Sequence, residues 1–133
     1  MSGNVFVSVR NDDKEAVVAP ARMLAEMGFE LLATSGTQQM LARHGVACTR
    51  IAKMTEGRPN IVDFIKNGQI HLIINTPTKK GPQTDEGRIR AMAVINRVPM
   101  ITTITGASAA ARAIRSLKQR PWTVRPLQTY FGK

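Results

Sequence analysis

The feature of this sequence that most restricts its fold is a regular alternation between short apolar segments and segments with helical spacing. The apolar run IHLIINT at 70–76 is continuous, as expected for a strand that is buried on both faces. Other strand-like segments lie at 5–10, 29–34, 48–53 and 99–104. Helical patterns follow them at 14–28, 37–44, 61–68, 84–97 and 107–119. This α/β alternation with short loops predicts a mainly parallel five-stranded sheet that is covered by helices on both faces.

One residue and one segment complicate this pattern. Pro20 interrupts the first helical segment, so that helix either kinks at Pro20 or begins its regular part there. A polar segment rich in Thr, Lys, Gly and Pro covers 77–84 and is predicted as a loop. The tail at 120–133 is the least informative part of the sequence.

Composition limits the class of protein. Hydrophobic residues make up 43% of the 133 residues and charged residues 21%, which is ordinary for a single globular domain spanning 1–133. The single cysteine, Cys48, excludes an internal disulfide and is predicted to be a buried structural thiol in a reducing compartment. No apolar run reaches the roughly 18 residues of a membrane span, and the amino terminus lacks the apolar core of a signal peptide. We therefore predict a cytoplasmic protein without a membrane partner.

The formal net charge of +10 raises the question of a nucleic-acid partner. The 19 Lys and Arg residues are scattered along the chain, and aromatic residues make up only 5%, which leaves little for base stacking. A small phosphorylated ligand fits this composition better than a nucleic acid. Part of the charge is explained equally well by a solvated basic surface or by a face that meets an acidic neighbour.

The stretch FELLATSGT at 29–37 joins an apolar run directly to a helical pattern, through Thr34, Ser35, Gly36 and Thr37. The first amides of a helix lack internal partners and carry the positive end of the helix dipole, which suits a phosphate. Hydroxyl groups can donate to phosphate oxygens, and a glycine permits close approach of the backbone. An ordinary N-cap, for which Ser and Thr are the usual residues, is the alternative.

Polar residues follow four of the predicted strands. Ligands of open parallel sheets bind beyond the carboxyl ends of the strands, so these residues are expected at one edge. They are Ser8 with the loop to Lys14, the turn at 34–37, Lys53, and Asn75 with Thr76. Together they predict a site for a dianion that carries a polar head group. For each lysine alone, a solvated surface position is the commoner outcome.

The two histidines give no sign of a metal site. His44 precedes Gly45, where a cationic side chain suits a helix end, and His71 opens a predicted buried strand. Neither has a Cys or His partner at ligand spacing, so no metal ligand is predicted.

Four segments carry a resemblance to a known family. They read SVRNDDKEAVV, GFELLATSGTQQML, IAKMTEGRPNIVDFIKNGQIHLIINTP and DEGRIRAMAVINRVPMITTITGA, in that order. They resemble the methylglyoxal synthase-like domain that forms the carboxy-terminal allosteric region of the large subunit of carbamoyl phosphate synthetase. The resemblance runs from about Val5 to Ile114, and its most specific parts are ATSGT, the EGRP block and IINT.

That resemblance implies a three-layer α/β/α sandwich and a regulatory, non-catalytic domain of a much longer subunit. In the family, this region binds the nucleotide monophosphates UMP, an inhibitor, and IMP, an activator. The resemblance assigns the effector phosphate to Lys14, Thr34, Ser35, Gly36, Thr37 and Lys53. It assigns the ribose and base to Asn75 and Thr76. Pro77 departs from the pattern, because some relatives have a second hydroxyl there and proline offers no donor.

The resemblance also implies partners for the domain. These are the synthetase domains of the large subunit and, through them, the small glutaminase subunit, in an enzyme that serves pyrimidine and arginine biosynthesis. The family binds ornithine where this domain meets a synthetase domain, and Thr102 matches the residue that this region supplies. No cofactor is expected in this domain, since ATP, Mg and K belong to the synthetase domains. The residues leave self-association into a homo-oligomer open.

Rival functions belong to other classes. Methylglyoxal synthase has the same fold and removes phosphate from dihydroxyacetone phosphate, which requires a carboxylate beside the phosphate. That enzyme has an aspartate at the end of the fourth strand, where this chain has Asn75, and an amide cannot take up a proton. The nearest carboxylates, Asp12, Asp13, Asp85 and Glu86, lie at helix starts and have a capping explanation. The cyclohydrolase domain of purine synthesis and a nucleic-acid module are weaker alternatives.

Overall fold

Five strands and five helices alternate along the chain in the computed structural model, which describes residues 3–76 and 85–119. The strands are β1 (Asn4–Val9), β2 (Glu30–Ala33), β3 (Thr49–Arg50), β4 (Leu72–Thr76) and β5 (Met100–Ile101). The helices are α1 (Lys14–Glu26), α2 (Ser35–Arg43), α3 (Ile61–Lys66), α4 (Asp85–Ile95) and α5 (Ile104–Gln119), with a 3-10 turn at Asn11–Asp13. The strands form one sheet in the order β3-β2-β1-β4-β5, and every pairing is parallel.

Helices cover both faces of this sheet, which confirms the predicted three-layer α/β/α arrangement. On one face, α1, α2 and α5 pack on side chains of the sheet that include Val5, Val7 and Ile74. On the other face, α3 and α4 pack on Phe6, Leu32 and Ile73. Neighbouring residues of β1 and β4 thus belong to opposite layers, because successive strand side chains point to opposite faces. Both strands are buried on both sides, as the continuous apolar run predicted.

Two of the strands are shorter than the sequence predicted. β3 has two residues instead of the predicted 48–53, although Ile51 N still donates to Ala33 O at 2.8 Å beyond its end. β5 also has two residues, because the chain turns into α5 at Ile104 and Gly106 N donates to Thr103 Oγ1 at 3.0 Å. The predicted start of the last helix at 107 is therefore three residues late.

The first helix runs from Lys14 through Pro20 to Glu26. Of the two alternatives for Pro20, a start of the regular helix at that residue is wrong. Pro20 is buried, as are Val17, Ala21 and Leu24 of the same helix. Packing of this apolar face offsets the hydrogen bond that proline cannot donate.

A capping box starts the shortest helix, α3. Asn60 Oδ1 accepts from Val62 N at 3.0 Å, and Asp63 Oδ2 accepts from Asn60 N at 2.9 Å. Two of the unpaired amides at the helix start are thereby satisfied. This arrangement places Asp63 in the first turn of α3, facing back toward the preceding loop.

Within residues 3–76 and 85–119, no helix combines the length and the apolar character that crossing a membrane requires. The predicted loop at 77–84, including Pro77, and the tail from 120 lie outside the described residues.

Candidate anion-binding site

The start of α2 is the centre of the predicted site. Thr34 is its N-cap residue with extended backbone angles, and the helix begins at Ser35. The Thr34 side chain makes no capping hydrogen bond, so it does not satisfy the amides of the first turn. The N-cap alternative therefore does not account for the Thr34 hydroxyl. The amides of the first turn have no intrahelical acceptor and keep the polarity that favours an anion.

Lys14 brings a positive charge to this turn. A Cβ atom built on Gly36 would lie 3.3 Å from Lys14 Nζ, so the ammonium group is beside the first turn of α2. Lys14 Nζ also donates to Asn11 Oδ1 at 2.7 Å. Asn11 is neutral, so this hydrogen bond orients the lysine without cancelling its charge. The structure thus brings together Lys14 and Gly36, as the sequence predicted.

Asn75 contributes a buried amide at the end of β4. It is 1% exposed, and in the described part of the chain its Nδ2 group has no hydrogen-bond partner. It lies opposite Ser8 of β1 in the parallel register, on the face of the sheet that α3 and α4 cover. A buried donor without a partner costs about 1–3 kcal/mol. The Nδ2 group is thus a buried donor without a described acceptor at the carboxyl end of β4.

Thr76 has a structural partner of its own. Its Oγ1 atom accepts from Arg10 N at 2.9 Å, and the side chain is 4% exposed. The bond joins the end of β4 to the segment after β1. Asn11 and the amide of Arg10 belong to the predicted loop from Ser8 to Lys14, but neither was singled out as a contributor. Asn11 lies three residues before Lys14 in a turn, which is the only sequence signal that could have identified it.

Lys53 follows β3 at the carboxyl edge of the sheet, with an exposed side chain. Its backbone amide donates to Glu56 Oε1 at 2.8 Å, which closes the turn after the strand. The described contacts do not bring the Lys53 ammonium group to Lys14. The placement of Lys53 is that of a strand-end residue, as predicted, and its contact with an anion stays a prediction.

Thr102 lies at the same edge but far from the start of α2. It follows β5, the strand at the opposite end of the sheet from β3, and it is exposed. Three strand spacings separate β5 from β2, which is about 14 Å. Thr102 therefore belongs to a different part of the surface from Thr34.

Asp13, a carboxylate near the site, pairs with an arginine. Asp13 Oδ2 accepts from Arg10 Nε at 2.8 Å, and Asp13 makes no side-chain capping bond to α1. Asp13 is the N-cap residue of α1, as its helix-start position predicted, but its carboxylate pairs with Arg10 instead of accepting from a helix amide. The end of β4 carries an amide, Asn75, and no acid.

The histidines and the cysteine lie outside this site. His44 Nδ1 lies 3.0 Å from Met40 O at the end of α2, and His71 Nδ1 accepts from Asn4 N at 3.0 Å. His71 is exposed and precedes β4, so its predicted place at the start of a buried strand is wrong by one residue.

Cys48 is half-buried, and burial raises its pKa to about 11, as suits a structural thiol. Across the described ranges, no three His, Cys, Asp or Glu residues cluster as metal ligands would.

The sequence matches the MGS-like domain family over residues 16–102. It is 46% identical over 132 residues to the carbamoyl phosphate synthase large chain of Rhodopirellula baltica, and 48% identical over 129 residues to that of Brucella suis. These alignments cover 99% and 97% of this chain but only 12% and 11% of the relatives. The chain thus spans about one eighth of the length of the curated relatives it matches.

Among solved structures, the fold is similar to a methylglyoxal synthase from Elizabethkingia anophelis. The TM-score is 0.65 with 16% sequence identity, over 99% of this chain and 91% of that one. At this identity the likeness concerns the fold alone.

Proposed function

This chain belongs to the MGS-like domain family, and we propose that it is the regulatory domain of a carbamoyl phosphate synthase large chain. Its ligand is a nucleotide monophosphate, with UMP as inhibitor and IMP as activator. The identity of about half of all residues to carbamoyl phosphate synthase large chains supports this assignment over other members of the family. The domain then acts on carbamoyl phosphate synthesis, in pyrimidine and arginine biosynthesis, without performing chemistry itself.

The observation that carries the proposal is the chemistry of the two strand ends next to β1. After β2, the uncapped first turn of α2 lies beside the Lys14 ammonium group. At the end of β4, where catalysis would require an acid, Asn75 offers a buried amide whose Nδ2 group has no partner among the described residues. Donors and positive charge, with no proton acceptor at that strand end, suit the binding of a phosphate rather than its removal.

Each predicted residue has a role in this proposal. The phosphate binds to the first turn of α2, to Lys14 and to Lys53. The buried amide of Asn75 selects an acceptor on the ribose or base, and Thr76 holds the neighbouring backbone. Effector binding regulates the enzyme only through a difference in affinity between two states of the whole protein, typically about 1–3 kcal/mol.

The partners of the domain follow from the same assignment. They are the synthetase domains of the large chain, which hold ATP, Mg and K, and through them the small glutaminase subunit. Thr102 contributes to an ornithine site between this domain and a synthetase domain. Its distance from Thr34 across the sheet allows the two ligands to bind at separate places.

A thermal shift series tests the proposal, with UMP, IMP, inorganic phosphate and dihydroxyacetone phosphate as separate ligands. At one hundred times the dissociation constant, a nucleotide stabilises the fold by about 2.7 kcal/mol, which raises the Tm by several degrees. An increase with a nucleotide, larger than with inorganic phosphate, is the expected result. No increase with either nucleotide, together with release of methylglyoxal from dihydroxyacetone phosphate, would establish the rival lyase instead.

A further inference from the structure

A groove of about 450 Å³ lies on the outer side of the α3 and α4 layer. Its apolar surface comes from Val62 of α3, from Ala91 and Met92 of α4, and from Met54 of the loop before α3. Met54 and Met92 pack partly against the core on this face of the sheet. Methionine side chains adapt to differently shaped apolar groups, so this surface suits a protein partner.

Three cationic side chains line the same groove: Arg58, Lys66 and Arg88. Among the described residues that line the groove, Asp63 is the only carboxylate, and it pairs with Arg58. Asp63 accepts from Arg58 Nε at 3.0 Å and from Asn60 N at 2.9 Å. The Arg58 guanidinium and the Asn60 amide hold the pKa of Asp63 below its ordinary value, so it stays charged and bound at neutral pH.

Neither of the remaining two cations makes a comparable ion pair in the part of the chain that the structure describes. In the described ranges, no carboxylate lies within 4 Å of the Lys66 ammonium group or of the Arg88 guanidinium group. Both residues are exposed, one on each helix. The groove therefore combines an apolar floor with one cation on each helix that makes no ion pair within 4 Å in the described ranges.

We propose that this groove docks an acidic, amphipathic segment of a protein partner. Carboxylates of that segment bind Lys66 and Arg88, and its apolar side chains pack on Met54, Val62 and Met92. The two cations favour a partner segment with negative charge. The apolar floor favours a segment that also has an apolar face.

Two other occupants fit the groove less well. A second copy of this chain, whose formal net charge is +10, would place the same cations against each other across a symmetric contact. A single-stranded nucleic acid needs aromatic side chains for stacking, and none of the described residues that line the groove is aromatic.

Methionine methyl groups provide a direct measurement. In protein labelled with ¹³C at the methionine methyls, NMR reports Met54 and Met92 in the groove and Met40, buried in the opposite layer, as an internal control. The probe is a synthetic helical peptide of about 14 residues, or four turns, with Leu at helical spacing and Glu between. We expect it to shift Met54 and Met92 and to leave Met40 unchanged.

Three comparisons decide the interpretation. A scrambled peptide of equal composition should bind at least about tenfold more weakly, since only the ordered peptide presents one apolar face. Arg88→Glu should weaken binding by at least about tenfold, with Lys66→Glu as a second variant if the first fails to fold. Arg115→Glu changes the net charge equally on the opposite layer, where Arg115 is exposed on α5, and should change binding less than about twofold.

Several results would overturn the proposal. These are no shift of Met54 and Met92 at millimolar peptide, equal binding of the scrambled peptide, or equal loss in the Arg88 and Arg115 variants. A single-stranded RNA that shifts the same methyl groups more strongly than the peptide would make the groove a nucleic-acid surface. Nucleotide-induced thermal shifts are measured separately, so failure here leaves the proposed effector site to its own test.

Discussion

The Nζ atom of Lys14 lies 3.3 Å from the place that a Cβ atom would occupy on Gly36. The residues are 22 positions apart, one beginning α1 and the other in the first turn of α2. Their proximity places a positive charge beside the first turn of α2, whose N-cap residue Thr34 makes no side-chain capping hydrogen bond.

Gly36→Ala should separate binding from stability. Alanine is favoured over glycine in a helix, so the free energy of unfolding should stay equal or rise by up to about 1 kcal/mol. The added methyl group occupies the space beside the Lys14 ammonium group and should reduce the nucleotide-induced rise in Tm. Gln39→Ala, an exposed change in the same helix, is the control and should leave that rise unchanged. An undiminished rise in the Gly36 variant would remove this turn from the site.

Asn75→Leu should abolish the nucleotide response without destabilising the protein. The variant removes a buried amide that has no partner in the described residues, which offsets the cost of fitting a differently shaped side chain. Urea denaturation should show a free energy of unfolding within about 1 kcal/mol of the parent. A loss above about 3 kcal/mol would contradict the prediction that leucine replaces the amide at little cost.

Thr76→Val, unlike Asn75→Leu, should destabilise the protein. Valine has the same shape but cannot accept from Arg10 N, whose hydrogen bond to Thr76 Oγ1 measures 2.9 Å. Leaving this partly buried amide unpaired should lower the free energy of unfolding by about 1–3 kcal/mol in urea denaturation. Thr76→Ser keeps the acceptor and should recover part of the loss. Thr102→Val, at an exposed position, should change stability by less than about 0.5 kcal/mol.

The Arg58–Asp63 pair should make the free energy of unfolding depend on pH in the acid range. The hydrogen bonds from Arg58 and Asn60 lower the pKa of Asp63 in the folded protein below its unfolded value of 3.8. The stabilisation is therefore complete above pH of about 4 and is lost as the pH falls through the folded pKa. Urea denaturation midpoints are measured from pH 6 downward, in steps of about half a pH unit. Below pH of about 4, the midpoint of Asp63→Asn should fall less steeply with pH than the midpoint of the parent protein. Asp12→Asn, at an exposed position, should keep the slope of the parent protein.

The sequence predicted much of this arrangement correctly, for identifiable reasons. The continuous apolar run at 70–76 identified β4 as a strand buried on both faces, because its residues do not alternate between apolar and polar. The junction at 34–37 was recognised from residue types that suit a strand-to-helix turn. The predicted strands β3 and β5 were too long, because local propensity does not indicate where a strand stops pairing with its neighbour.

Other failures concern competition between contacts. Asp13 has the residue type and position of a capping group, yet its carboxylate pairs with Arg10. Pro20 has the character of a helix breaker, yet α1 continues through it because the helix packs on the sheet. In each case a nearby partner outweighs a local preference that is worth about 1–3 kcal/mol.

The sequence by itself determined the α/β alternation, the burial of the central strands and the residue types that follow each strand. These properties depend on the periodicity of apolar side chains and on local turn chemistry. Only the tertiary structure decided the strand order β3-β2-β1-β4-β5, which places Asn75 opposite Ser8 and keeps Thr102 away from Thr34. The side of β1 on which each later strand pairs depends on which helices cover each face of the sheet. Those contacts join residues far apart in the chain, so no local pattern records them.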